Sequence, residues 1–102
     1  MNMKQLSKAC SQAAKVIQRD GLLKGDYGAN DGPKCVLGGL RFAVNGSTGV
    51  PLAFTLDELT PLFRKARPHS RRGTIVAFND ADRTRKHDVV ELLQDMAVQA
   101  LR

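Results

Sequence analysis

The chain has 102 residues, 42% hydrophobic and 25% charged, with two cysteines, one tyrosine, four phenylalanines and no tryptophan. These proportions exclude a disordered chain and a disulfide scaffold, and the length fits one domain over 1–102 with a core of Leu, Val, Ala, Ile, Met and Phe. The formal charge of +6 is concentrated, because residues 64–86 hold Arg64, Lys65, Arg67, Arg71, Arg72, Arg83, Arg85 and Lys86 against Asp80 and Asp82 while the rest sums to neutrality.

Residues 3–19 place Leu6, Ala9, Cys10, Ala13, Ala14 and Ile17 at steps of three and four, the spacing of one helical face. Lys4, Lys8, Lys15 and Gln18 fall on the other side, and Gly21 is the expected stop. No apolar block resembles a secretion signal and no run would span a bilayer, so the expectation is a cytoplasmic protein without membrane contact. Both cysteines are expected as free thiols, with Cys10 in the core.

KGDYGANDGPK, residues 24–34, is a loop by its Gly, Asp and Asn content. Pro33 suits the first turn of a second helix through CVLGGLRFAVNG, ended by Asn45-Gly46. Gly38-Gly39 costs that helix about 1 kcal/mol per glycine relative to alanine. Such a cost implies a second backbone packed close by.

STGVPLAF, residues 47–54, reads as a connector or a short extended piece. Thr55-Leu56-Asp57-Glu58 has the pattern of a capping box, and Thr60-Pro61 restates a helix start. One helix is expected from either cap to near Arg67, with Pro68 just beyond. TIVAF, residues 74–78, is β-branched and apolar and reads as a strand buried on both faces. A strand needs a hydrogen-bonding partner, and VPLAF at 50–54 is the candidate. From about Thr84, Val89, Leu92, Leu93, Met96, Ala97, Ala100 and Leu101 mark a final amphipathic helix. The expected fold is therefore α+β, about four helices on a short two-stranded sheet.

Three features carry candidate chemistry. RKARPHSRR, residues 64–72, sets five cations and His69 together without an acid, which suits phosphates or an acidic protein surface or else forms a solvated loop. No Phe, Tyr or Trp interrupts it, so a base-stacking platform is not expected there. Asn79-Asp80 ends the expected strand and is read either as a turn that only frames the last helix or as one wall of a site. Cys35 sits where a helix dipole would lower a thiol pKa, with His87 as a possible base oriented by Asn79 or Asp80, although small buried cysteines are common. His69 and His87 are isolated, so no metal site is predicted, and no nucleotide-cofactor motif is present.

Gly21, Cys35, Leu37, Gly38, Asn79, Asp80, Thr84, Asp88 and Val89 resemble, in order, a family of short bacterial and phage proteins of unknown function. Its members carry a C-x-x-G-A-like helix and an aromatic-Asn-Asp turn before the last helix. This chain departs at Leu22, where an aromatic is usual, at Gly39 for alanine and at Phe78 for tryptophan. The resemblance implies a small standalone protein of phage or mobile-element context and supplies no activity. The leading expectation is a non-catalytic protein whose basic arm engages nucleic acid or a nucleic-acid-containing host complex, as an inhibitor of host defence would. The alternatives are a small cysteine-dependent enzyme, and a protein–protein adaptor or homodimer using 47–63.

Overall fold

The computed structural model describes residues 2–102. Leu6, Cys10, Ala13 and Ile17 lie buried along one face of α1, Met3–Asp20. Asn2 opens the helix with a reciprocal cap: its Oδ1 accepts from the Gln5 N–H at 2.8 Å, and the Gln5 side chain accepts from the Asn2 N–H at 3.0 Å. Gly21 closes it with a positive φ of 99°, its N–H donating to the Ile17 carbonyl.

Four more helices follow: α2, Val36–Asn45; α3, Leu56–Ala66; α4, Ile75–Asp80; and α5, Lys86–Gln99. α1 packs against both α2 and α5, α3 packs on α5, and α4 rests against α2 and α3. The buried Ser7 hydroxyl donates to the Ala97 carbonyl at 2.7 Å and fixes the α1–α5 seam. α3 starts at the first of its two expected caps, Thr55, and runs through Pro61 to Ala66. α5 starts two residues later than Thr84, after Arg85.

The expected two-stranded sheet is not formed, and the fold is all-helical rather than α+β. Among the described residues the only β pairing is two isolated bridges, Leu22 to Lys34 and Gly28 to Lys34. TIVAF becomes the start of α4, because the Thr74 hydroxyl caps the Ala77 N–H at 3.1 Å and Ile75 and Asn79, one turn apart, are both buried. Burying Ile75 stabilises by about 2 kcal/mol, more than the few tenths that β-branching costs a helix. Val76 and Phe78 are half-buried and Ala77 is exposed, so the run is not buried on two faces. Its proposed partner, 50–54, is irregular chain. Pro33 also lies outside a helix, since α2 begins at Val36 with Cys35 as its cap.

The loop between α1 and α2 is fastened by a buried cation. Lys34 is fully buried, its ammonium 2.7 Å from Asp20 Oδ2 and 2.8 Å from the Gly32 carbonyl, and 4.7 Å from the centre of the Phe42 ring. The close approach implied by Gly38-Gly39 is present. A Cβ on Gly38 would stand 1.9 Å from the Tyr27 carbonyl oxygen, and one on Gly39 would stand 2.9 Å from Ile17 Cδ1.

Candidate functional site

The 67–74 connector leaves α3 and the 81–85 turn leaves α4, and a short α4 keeps them together. Six helical residues advance the chain by about 9 Å, where an extended run would advance it by about 20 Å. Arg67, Arg71 and Arg72 therefore line one open hollow with Arg83, of about 580 Å³, whose wall also includes Phe78 and Thr84.

The four guanidiniums differ. Arg67 is committed to the fold, with Nη1 2.6 Å from Asp95 Oδ2 and 2.7 Å from the Ala66 carbonyl, which ties the end of α3 to α5. Arg71, Arg72 and Arg83 are exposed and form no ion pair among the described residues. Asp88 and Glu91 of α5 supply two carboxylates to the same hollow. The hollow is thus cationic on its connector side and acidic on its α5 side.

The remaining sequence-predicted cations stand outside it. Arg64 and Lys65 are exposed on the last turn of α3, and Arg85 caps α5. Lys86 turns toward α1 and donates to the Gln18 carbonyl at 3.3 Å. His69 is exposed on the connector. Phe78 and Glu91 were not candidates on sequence, because the first read as the end of a strand and the second as a solvated position of an amphipathic helix.

Asn79 and Asp80 form a latch. Asn79 Oδ1 accepts from the Val36 N–H at 2.8 Å, while Nδ2 donates to the Leu23 carbonyl at 3.1 Å and to Asp80 Oδ1 at 2.9 Å. Asp80 Oδ1 also accepts from the Gly25 N–H at 3.1 Å. One end of α4 thereby holds both the 21–28 loop and the first turn of α2.

Cys35 lines a separate cleft of about 280 Å³ with Tyr27, Leu37, Leu56, Asn79 and Asp80. Its sulfur accepts from the Gly38 N–H at 3.3 Å, so it serves as the α2 cap. Burial raises the thiol above its ordinary pKa and outweighs the hydrogen bonds from the Gly38 and Leu37 N–H groups. That direction keeps the sulfur protonated, whereas a nucleophile needs the thiolate. Asp80 shares this cleft, but His87 does not line it. His87 is exposed at the start of α5, 3.2 Å from Asp88. Among the described residues, no three His, Cys, Asp or Glu side chains gather as metal ligands, and no helix is long and apolar enough to cross a membrane.

A family model described as a family of unknown function, DUF6197, matches residues 1–99. No curated protein and no solved structure matches the chain.

Proposed function

The chain belongs to the DUF6197 family, which supplies no activity, and from that premise we propose a function on the site alone: a non-catalytic binding protein whose arginine hollow engages nucleic acid, free or within a host complex. The observation that carries this is the convergence on one hollow of Arg71, Arg72 and Arg83, three guanidiniums without carboxylate partners among the described residues. Guanidinium forks match phosphate oxygens, and clustered cations release counterions when they neutralise a phosphate backbone. The resemblance to short bacterial and phage proteins adds a setting, the bacterial cytoplasm, in which a phage-encoded member would act against a host defence complex.

The experiment is a titration of DNA and RNA against the protein over a series of salt concentrations. Binding is expected to weaken steeply with salt, and replacing Arg71 and Arg72 by alanine is expected to lower the slope of log affinity against log salt by about one per residue. Undetectable binding at low salt, with no partner lost from a host pull-down when the arm is charge-reversed, would sink the proposal. A second reading, a protein–protein adaptor, draws on the exposed Val50 and Leu56 flanking the 50–56 segment. A monomeric mass in solution removes its homodimer form.

A further inference from the structure

We infer that the hollow holds one unpaired nucleotide of a single strand: phosphate on Arg71, Arg72 and Arg83, base against Phe78, and a guanine base recognised by the Glu91 carboxylate. This rests on the nucleic-acid reading above and narrows it.

The connector alone offers no Phe, Tyr or Trp, but the fold brings a Phe to it. Phe78 comes from α4, half-buried, with its ring centre 5.8 Å from that of Phe63 in an edge-on pair. That packing fixes the ring while leaving part of it on the hollow. An aromatic surface beside phosphate-binding arginines is the combination that single-strand binders use, because an unpaired base presents its face and a paired base does not.

The acidic side of the hollow gives the second line of argument. A carboxylate close to bound phosphates repels them, so it lowers affinity for a ligand that offers phosphates only. Asp88 has internal duties: Oδ2 accepts from the Arg85 N–H at 2.9 Å, and Oδ1 lies 3.2 Å from His87 Nε2. Glu91 is exposed and makes no ion pair among the described residues. Its two oxygens need parallel N–H donors to offset the repulsion. The Watson–Crick edge of guanine supplies them in N1–H and the N2 amine. Thymine and uracil present a single N–H and two carbonyls there, and adenine presents an amine beside a bare ring nitrogen. A duplex hides this edge and would bring phosphates toward Glu91 with no compensation. The volume, about 580 Å³, lies within the roughly 300–1,000 Å³ of sites that enclose small ligands.

The test uses fluorescence anisotropy with labelled oligothymidine, the same strand carrying one central guanine, the oligouridine counterparts, and a matched duplex. The guanine strand is expected to bind about tenfold tighter than oligothymidine, and both tighter than duplex at equal salt. Glu91→Gln, an exposed substitution, is expected to erase the guanine increment and leave oligothymidine binding equal or stronger. Phe78→Leu, checked for folding by circular dichroism, is expected to weaken both single strands by about tenfold. Equal binding of guanine and thymine strands, or duplex preferred over single strand, overturns the inference. If Arg71 and Arg72 variants still weaken binding in that case, the broader proposal stands. No binding to any nucleic acid at low salt overturns both. The DNA and RNA arms decide which sugar the site accepts.

Discussion

The Asn79 side-chain oxygen lies 2.8 Å from the N–H of Val36, the first residue of α2, and Asn79 is 1% exposed. One amide thus satisfies a helix N-terminus and, through its nitrogen, the Leu23 carbonyl of the preceding loop. Replacing Asn79 by alanine leaves the buried Val36 N–H and the part-buried Leu23 carbonyl unpaired, at about 1–3 kcal/mol each. Asn79→Ala is expected to lower unfolding stability by about 2–4 kcal/mol, read from the urea midpoint at unchanged slope. Asp80→Asn keeps an acceptor for the Gly25 N–H and is expected to cost less than 1 kcal/mol, about the median for an exposed charge. A loss below about 1 kcal/mol for Asn79→Ala would remove the latch.

Acid stability depends on the Asp20 carboxyl. The Arg19 guanidinium, 2.7 Å away, and the Lys34 ammonium, also 2.7 Å away, hold it well below the usual carboxylate range. A carboxyl depressed in the folded state stabilises the protein fully above its unfolded pKa of about 4, and that stability is lost as pH falls toward the folded value. Stability is therefore expected to decline from roughly pH 5 downward. Asp20→Asn is expected to flatten that decline and to lower stability at neutral pH, where the buried Lys34 loses its carboxylate. Chemical denaturation at a series of pH values reads both effects, and an unchanged acid limb would remove Asp20 from the account.

The glycine pair in α2 has unequal roles. A Cβ on Gly38 meets the Tyr27 backbone oxygen, which cannot move without the loop, whereas a Cβ on Gly39 meets the end of the Ile17 side chain. Helix propensity favours alanine at both positions by about 1 kcal/mol. Gly38→Ala is expected to be clearly destabilising, by about 1–3 kcal/mol after that gain, and Gly39→Ala to lie within about 1 kcal/mol of the parent. Thermal melts of the two variants check the order.

Cysteine chemistry should be slow at neutral pH. Burial pushes the Cys10 thiol up to about 12 and raises Cys35 as well. Both are expected to resist a thiol reagent until the protein unfolds, with Cys10 the slower because it is fully buried. Since Cys35 caps α2, Cys35→Ser is expected to exceed Cys35→Ala in stability by about 1 kcal/mol. Fast labelling of Cys35 in the folded protein at neutral pH would instead revive the cysteine-dependent alternative.

Four of the helices were legible in the sequence because each carries a local signal. α1 and α5 repeat apolar residues over several turns, Thr55-Glu58 writes the start of α3, and Gly21 and Gly46, both at positive φ, end α1 and α2. α4 was not legible. Six residues hold too little periodicity to separate a helix from a strand, and TIVAF has the composition of a strand. Its state is set by the packing of α4 on α2 and α3 and by the bonds of Asn79 to Val36 and Leu23, 43 and 56 residues earlier in the chain.

The same short element separates what sequence and tertiary structure determined about function. Composition and order alone placed a cluster of cations between residues 64 and 86. Which of them meet was decided by α4, whose tight rise brings Arg71 and Arg72 to Arg83 and leaves Arg64, Lys65, Arg85 and Lys86 on other surfaces. Phe78 and Glu91 joined them because the rotation of α4 and the packing of α5 turn those side chains to the same hollow. Charge is a property of residues and is written in the chain, but a site is a property of distances between elements, and those follow from burial and hydrogen bonds far apart in sequence.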